Sequence, residues 1–338
     1  MFEEFSRTWS ASARRRQWYL ALIGVLVLAM CFSNVIRFST AQAASPTKRT
    51  SGCGSTTPGS TTLSLTENGY QRIVIVHLPR SSTDASPLAL VLNLHGSGST
   101  ALEQEGFTSM NATANADGFI VAYPQALIPD GTGFDWNVPG VPLVGGRSVP
   151  AKSANDVKFL TALVGVLEQK YCVNTSEIYA TGFSGGAREV SQLACDDSGV
   201  FAAAAPVSGL RRPMLCPTTR AVPIISFHGS ADLIDPFGGH GQEYWTYSVS
   251  AATKAWAHQD KCSTKSLTTT PVSGVALTTY VKCANGAKVE LYAIHGEGHE
   301  WPGGRSLSSF ITSLLGPQSN LVNANTLMWT FFRAHPLA

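Results

Sequence analysis

Short apolar runs of strand character alternate along this chain with segments whose apolar residues recur at helical spacing. The strand-like runs lie at residues 71–78, 88–94, 119–124, 177–183, 201–208, 223–229 and 288–294. Residues 155–171 place five apolar side chains on one helical face, namely Val157, Leu160, Leu163, Val164 and Leu167. Residues 325–335 have the pattern of a closing amphipathic helix. Strands that alternate with helices predict a mostly parallel sheet covered by helices on both faces.

One long stretch, residues 127–153, has no such pattern and is rich in Gly and Pro. A connection of this length within a compact domain is usually functional or disordered. Phe134 and Trp136 favour a functional loop. Since ligands of α/β sheets bind outside the carboxyl ends of the strands, the residues that follow each predicted strand are the ones to search for chemistry.

The first 43 residues have the organisation of a secretory signal peptide. The basic cluster Arg14-Arg15-Arg16 precedes an apolar stretch of about 15 residues, and Ala41-Gln42-Ala43 supplies a small-residue cleavage site. The apolar stretch is shorter than the ~20 residues that span a bilayer comfortably. An uncleaved signal anchor is the alternative, and only that form would place the protein at a membrane. We expect a secreted protein with a flexible Ser/Thr/Gly/Pro-rich linker at 44–62 and one folded domain at 63–338.

Composition narrows the classes of function. The chain has 338 residues, of which 44% are hydrophobic and 14% charged, with a net charge of +2. These values suit one large globular domain with an ample core. Because no basic stripe occurs beyond the first 50 residues, we expect no nucleic-acid partner. No Cys/His pattern with the spacing of metal ligands is present, so we predict no metal site.

The cysteines agree with export. Seven are present, and one of them, Cys31, lies in the predicted signal peptide. An even number of cysteines in the remainder of an exported chain indicates disulfides, although the sequence leaves their connectivity open. Cys262 and Cys283 bracket a pair of short β-like runs and are expected to close a hairpin. The pairings Cys195–Cys216 and Cys53–Cys172 are guesses that the sequence leaves open.

Ser184 lies in a Gly-rich pentapeptide, residues 182–186, that matches the pattern G-x-S-x-G. The pentapeptide begins at the end of a strand-like run and precedes a helix-compatible segment. This strand–turn–helix setting is that of a nucleophile elbow, a sharp turn that requires small neighbouring residues. A serine hydroxyl is a poor nucleophile by itself, so the prediction requires a histidine base and a group that orients it.

His299 is the predicted base, because it lies in a Gly-rich loop after the last strand-like run. His295, which ends that run directly, is the alternative. The acid is expected in the loop after residues 223–229. Asp232 comes first in this loop, and Asp235 is the alternative.

A second Gly-rich turn, His95-Gly96-Ser97-Gly98, follows the run at 88–94. The backbone N–H groups of Ser97 and Gly185 are predicted to form an oxyanion hole, which is worth about 10²–10³-fold in rate per donor. We expect His95 to face the substrate. Glu297 and Glu300 flank His299 and are interpreted as solvated loop charges.

Five segments together resemble the polyhydroxybutyrate depolymerase and feruloyl esterase group of secreted, carbohydrate-esterase-family-1-like α/β-hydrolases. They are PLALVLNLHGSG, NDVKFLTALVGVLEQKYCVNTSEIYATGFSGGA, LACDDSGVFAAAAPVSG, IISFHGSADLIDP and GEGHEWPGG, and the resemblance covers roughly residues 52–336. It implies the α/β-hydrolase fold, with Ser184 as nucleophile, Asp232 as acid and His299 as base, and it implies no cofactor. It also implies that Trp136 and Trp301 lie near the substrate cleft, and that the pair Cys262 and Cys283 matches a bridge of the group.

The chain departs from the group at two positions. Ser97 stands where relatives often carry Cys or Gly, which we expect to be harmless because the backbone N–H is what acts. Gly185 stands where relatives often carry Asn, and we expect it to leave more room beside the acyl group.

The sequence therefore predicts a secreted serine esterase acting on feruloyl or acetyl esters of plant xylan. The alternative substrate is polyhydroxyalkanoate or its oligomers. The alternative from another class is a catalytically inactive hydrolase-like surface protein.

Overall fold

The computed structural model describes residue 53 and residues 57–83, 86–212, 214–305 and 313–338. The predicted signal peptide and most of the predicted linker lie outside these residues. The linker prediction extends too far at its C-terminal end, because the first strand already begins at Gly59. This strand was missed because its Ser and Thr side chains face solvent at a sheet edge, where their polarity resembles that of a linker.

The described strands are β1 Gly59–Glu67, β2 Tyr70–Leu78, β3 Leu88–Leu94, β4 Ile120–Pro124, β5 Ile128–Asp130, β6 Gly133–Asp135, β7 Val173–Phe183, β8 Ala203–Val207, β9 Ile224–Gly229, β10 Leu267–Val272, β11 Val275–Tyr280 and β12 Val289–Ile294. Ten of them form one sheet in the order β1-β2-β4-β3-β7-β8-β9-β12-β11-β10, and β5 pairs with β6 separately. The strands from β4 to β12 in this order are parallel, and two antiparallel strands extend each edge. The predicted α/β class with a mostly parallel sheet is confirmed.

The described helices are α1 Ala101–Thr108, α2 Met110–Asp117, α3 Asp156–Lys170, α4 Gly185–Asp196, α5 Val249–Gln259 and α6 Ala324–Arg333. Asn155 begins α3 where the sequence pattern predicts, since its side chain accepts the Lys158 N–H and caps the helix. Asn323 caps α6 in the same way. Within the described ranges, no helix has both the length and the apolar composition that crossing a membrane requires.

Two hydrophobic cores cover the two faces of the sheet, and strand β3 shows how the sequence builds them. Leu90, Leu92 and Leu94 pack into the core that contains α3, α4 and α5. Ala89 and Val91 point the opposite way, into the core with α2 and α6. Since side chains alternate across a strand, a continuous apolar run is what a strand buried on both faces requires.

Three disulfides are present, Cys53–Cys172, Cys195–Cys216 and Cys262–Cys283, and of these pairs the sequence predicted only the last. The first connects the start of the described chain to the residue before β7, 119 positions away. The third closes the β10–β11 hairpin at its open end. The disulfides thus tie down the N-terminal end and the last antiparallel edge of the sheet.

The direction in which strands are added to the sheet reverses at β3. The chain places β4 on one side of β3 and then crosses over to place β7 on the other side. At such a switch point the connecting loops diverge and leave a crevice outside the carboxyl ends of the strands. The loops after β3, β7, β9 and β12 all leave from this edge, and they carry the predicted site residues.

Candidate active site

Ser184 occupies a sharp turn between β7 and α4. Its backbone has φ 53° and ψ −114°, a left-handed conformation that is costly for a residue with a side chain. The turn is held by the Ser184 N–H, which donates to the Val207 carbonyl oxygen at 3.0 Å. Gly186 is required by close approach, since a Cβ there would lie 2.5 Å from the carbonyl oxygens of Leu94 and His95. The strain and the crowding are those of a nucleophile elbow.

His299 and Asp232 form a close buried pair. Nδ1 of His299 lies 2.8 Å from Oδ2 of Asp232. Oδ1 of Asp232 accepts the backbone N–H groups of Ile234 and Asp235 at 2.9 and 2.8 Å. A proton on Nδ1 of His299 is thereby fixed toward the carboxylate, which leaves Nε2 available as a base.

Each member of the pair shifts the pKa of the other so that the carboxylate and the imidazolium are both stabilised. Burial alone raises the pKa of Asp232, but the charge of His299 and the hydrogen bonds from His228 and His299 outweigh it and lower the pKa well below its usual range. Burial alone lowers the pKa of His299, but the Asp232 carboxylate outweighs it and raises the pKa. The carboxylate is therefore ionised at neutral pH and stabilises an imidazolium next to it.

His228 is a site residue that the sequence reasoning missed. Its Nε2 lies 3.2 Å from Oδ2 of Asp232 and 2.7 Å from the carbonyl oxygen of Asp235. Its ring stacks on Trp245, with 5.5 Å between centroids. Nδ1 is buried and has no hydrogen-bond partner among the described residues, whereas the two oxygens near Nε2 are acceptors, so a proton on Nε2 is shared between them. The signal was present in the sequence, because His228 lies near the end of β9, four residues before Asp232.

The structure separates the alternative residues from this pair. The Asp235 carboxylate accepts a hydrogen bond from Nη1 of Arg188 at 2.7 Å, and the guanidinium of Arg188 lies 4.3 Å above the Tyr244 ring. His295 is exposed, and its backbone N–H pairs with the Gly274 carbonyl oxygen. Neither alternative is placed as Asp232 and His299 are.

The predicted oxyanion donors lie next to each other. The backbone nitrogen of Ser97 lies 3.1 Å from the position that a Cβ on Gly185 would occupy. The Gly185 N–H belongs to the first turn of α4 and so has no acceptor within the helix. Strands β5 and β6 hold the Ser97 loop in place, because Phe134 exchanges hydrogen bonds with Gly98 and Ser99 at 3.1 and 3.0 Å. The long loop is thus partly a hairpin that braces this turn.

The expectation that Gly185 leaves extra room is wrong. A Cβ at Gly185 would lie 2.4 Å from Oγ of Ser97, so the hydroxyl occupies that space. The two departures from the group are therefore coupled, since a side chain at position 185 requires a different residue or rotamer at position 97.

All three residues predicted to face the substrate are buried and hydrogen-bonded within the fold, and Trp136 lines a small pocket together with Ser97 and Gly185. His95 is fully buried, and its Nε2 accepts the Ala126 N–H at 3.1 Å. Trp136 donates from Nε1 to the His95 carbonyl oxygen at 2.8 Å. Trp301 is fully buried and donates to Oδ1 of Asn325 at 3.0 Å. The sequence next to a catalytic motif does not reveal whether an aromatic or imidazole ring faces the cleft or the protein interior.

The interpretation of Glu297 and Glu300 as solvated charges is also wrong. Both are buried, and burial raises the pKa of each to about 7. Glu297 accepts a hydrogen bond from the Ser319 hydroxyl, whereas both carboxylate oxygens of Glu300 are buried without a partner in the described part of the chain. Two carboxyl groups that titrate near neutral pH therefore flank His299.

Ser184 and His299 open into a cleft of about 680 Å³. Its walls are largely apolar, with Phe107, Phe183, Ile234 and Leu315 among the lining residues, and its polar lining includes Glu103, Asp130 and Arg305. This size suits a drug-sized or sugar-sized ligand. Within the described ranges, no group of three or more His, Cys, Asp or Glu residues is arranged to hold a metal ion.

Comparisons with known proteins agree with the fold and with an esterase. The chain is 30% identical over 241 residues to NocK of Nocardia uniformis subsp. tsuyamanensis, a protein named as an esterase, and the match covers 65% of this chain and 67% of that protein. It is 28% identical over 239 residues to feruloyl esterase B of Piromyces equi, covering 68% of this chain and 42% of that enzyme. It is 28% identical over 145 residues to poly(3-hydroxyalkanoate) depolymerase C of Paucimonas lemoignei, covering 42% of this chain and 32% of that enzyme. The chain thus spans less than half of the last two relatives.

A solved structure shares the fold. Acetyl xylan esterase from Aspergillus awamori superposes with a TM-score of 0.52 at 17% identity, over 71% of this chain and 94% of that one. No protein-family model matches the sequence. The fold and the relatives define a serine esterase of the α/β-hydrolase class. The chain belongs to the group that contains feruloyl esterases, acetylxylan esterases and polyhydroxyalkanoate depolymerases.

Proposed function

We propose that this protein hydrolyses feruloyl or acetyl esters of plant polysaccharide with Ser184 as nucleophile, His299 as base and Asp232 as acid. The observation that carries the proposal is the 2.8 Å contact between His299 Nδ1 and Asp232 Oδ2, with His299 and Ser184 lining one cleft. The N-terminal sequence pattern and the three disulfides support secretion of a single catalytic domain.

The reaction proceeds as a two-step acyl transfer. Oγ of Ser184 attacks the ester carbonyl carbon while Nε2 of His299 takes the hydroxyl proton, and Asp232 stabilises the imidazolium. The proton then passes from His299 to the departing alcohol oxygen, which leaves an acyl ester on Ser184. A water molecule attacks this ester with His299 again as base, and the acid product leaves as the Ser184 hydroxyl is restored.

Two backbone donors stabilise the charge that develops on the carbonyl oxygen. The N–H groups of Ser97 and Gly185 are fixed by the braced turn and by the start of α4, so they need no reorganisation during the reaction. The positive end of the α4 dipole lies at the same point and favours the oxyanion.

The cleft and the relatives support a polysaccharide ester. The apolar lining near Ser184 suits an uncharged acyl group, and the polar residues Glu103, Asp130 and Arg305 suit hydroxyl groups of a sugar chain. The names of the relatives include feruloyl esterases and a bifunctional acetylxylan esterase/xylanase. One relative is named a polyhydroxyalkanoate depolymerase, which makes hydroxyalkanoate esters the second candidate substrate.

A panel of ester substrates tests the choice of substrate. Methyl ferulate, acetylated xylan and hydroxybutyrate oligomers are compared by kcat/KM with the same enzyme preparation. We expect the first or the second to exceed the third by at least about tenfold, which corresponds to about 1.4 kcal/mol of transition-state binding. A preference for the oligomers would replace the proposed substrate while leaving the proposed triad intact.

His228 is expected to position Asp232 for catalysis. Replacing it with Leu removes the donor to Oδ2, and we expect kcat to fall about 10²-fold with little change in KM, since a small misplacement of the base has this cost. His228→Gln keeps an N–H near the position of Nε2 and should recover most of kcat. Equal kcat values for the Leu variant and the wild type, with both proteins folded, would contradict this role.

The pH profile is expected to follow the raised pKa of His299. The base must be neutral to accept the serine proton, so kcat/KM should fall as the pH drops through a pKa above the ordinary 6.5. Glu300 titrates in the same range, with a pKa of about 7. In Glu300→Gln the acidic limb should persist and move to lower pH, because a negative neighbour has been removed. Loss of the limb in this variant would assign it to Glu300 instead.

A further inference from the structure

A second cavity of about 620 Å³ lies at the C-terminal end of α5, beside the Cys262–Cys283 disulfide. It shares no lining residue with the cleft at Ser184. Four of its lining side chains are basic, namely Arg212, Lys254, His258 and Lys261. No Asp or Glu lines it. We call this feature the basic cavity.

The positive charges of the basic cavity form no close ion pair among the described residues. None of Arg212, Lys254 and Lys261 belongs to an ion pair among the described residues. Nη2 of Arg212 donates to Oε1 of Gln259 at 2.9 Å, while Nε of Arg212 is buried without a partner. Like charges gathered in this way repel each other, and a bound anion would relieve the repulsion.

The carboxyl group closest in sequence does not supply that charge. Oδ1 of Asp260 accepts the Val222 N–H at 3.2 Å, and the side chain is fully buried. Burial raises the pKa of Asp260 to about 7, so the group is only partly ionised at neutral pH. The lining of the basic cavity thus consists of cationic and neutral side chains only.

The walls of the basic cavity are held in place by the fold. The Cys262 N–H donates to the Ala257 carbonyl oxygen at 2.9 Å, and the Ser263 N–H donates to that of Val281 at 2.9 Å. Nε1 of Trp256 anchors the opposite wall through the Arg211 carbonyl oxygen at 3.0 Å. Together with the disulfide, these bonds make a preformed site, so binding requires little ordering of the protein.

We propose that the basic cavity binds a uronate unit of an acidic polysaccharide. The guanidinium of Arg212 and the ammonium groups of Lys254 and Lys261 match the carboxylate of a uronate in charge. The hydroxyls of Ser263 and Thr264 and the ring of Tyr280 also line the cavity, and they suit the hydroxyls and the apolar face of a sugar. The volume admits a sugar unit, whereas an inorganic oxyanion would fill only a small part of it. The site would hold the enzyme on an acidic polymer independently of the ester reaction.

Isothermal titration of the wild-type full chain at low salt tests this proposal with trigalacturonate, neutral xylotriose and inorganic phosphate. We expect saturable binding of trigalacturonate, at least about tenfold tighter than binding of either other probe. The double variant Lys254→Gln/Lys261→Gln should lose about tenfold or more in affinity, since two charge contacts with the carboxylates are removed. The matched control Lys152→Gln/Lys158→Gln changes two exposed lysines outside the cavity and should bind as the wild type does.

The outcomes are separate from those of the ester assay, because trigalacturonate contains no ester. Equal binding of xylotriose, equal binding of phosphate, or unchanged affinity in the Lys254→Gln/Lys261→Gln variant would each overturn the proposal. Hydrolysis of a small soluble ester should be the same in both double variants and the wild type, which also shows that the variants fold.

Discussion

Ser184→Ala is expected to lower kcat for ester hydrolysis by about 10⁶-fold, because the covalent intermediate can no longer form. The variant should fold as the wild type does, since the turn is held by backbone contacts and by Gly186 rather than by the hydroxyl. Activity is measured on a small chromogenic ester, and folding is checked by thermal denaturation. Undiminished hydrolysis by a folded variant would rule out Ser184 as the nucleophile.

A fluorophosphonate probe separates the enzyme from an inactive scaffold in the same experiment. The wild type should form a covalent adduct at Ser184, identified by peptide mass, and Ser184→Ala should form none. Reaction of the wild type requires the hydroxyl, the base and the oxyanion donors together. A folded wild-type protein that fails to react would favour the non-catalytic alternative.

Asp232→Asn is expected to lower kcat by about 10⁴-fold, because an amide can orient the His299 ring in the wrong tautomer and cannot stabilise the imidazolium. KM should change little, since Asp232 lies behind the base and does not line the cleft. Steady-state kinetics of the purified variant measure both constants.

Asp235→Asn is the matched control, three residues away in the same loop. Its carboxylate pairs with buried Arg188 and not with His299, so we expect a kcat within about tenfold of the wild type. Its main effect should be on folding, with a loss of about 3–5 kcal/mol in the free energy of unfolding, because the Arg188 charge is left unpaired. The reverse pattern of kcat values would make Asp235 the acid.

The sequence carried the main features of the fold because strands and helices have different apolar periods. The α3 prediction of 155–171 agrees with Asp156–Lys170, and the apolar run at 88–94 is β3. Edge strand β1 was not predicted because most of its residues are polar and exposed, so few apolar residues mark its period of two. Strands β5 and β6 escaped because a three-residue pair is shorter than the windows in which a period is visible.

The burial of the predicted substrate residues could not be read from the sequence, for a different reason. Sequence position places His95, Trp136 and Trp301 near the site. It does not tell whether each ring faces the cleft or the protein interior, because that depends on the conformation of the surrounding loops. Contacts with residues distant in sequence decide this, since Nε2 of His95 accepts the Ala126 N–H and Trp301 donates to Asn325 of α6. The same limit applies to Glu300, whose burial follows from the packing of the whole loop.

The sequence by itself determined the α/β class, the strand–turn–helix around Ser184 and the order of Ser184, Asp232 and His299, since these depend on local spacing and on residue types. Only the tertiary structure decided that Asp232 and not Asp235 meets His299, that His228 shares this carboxylate, and that Ser97 occupies the space beside Gly185. Each of these depends on distances of about 3 Å between residues far apart in the chain, which loop conformation and packing set.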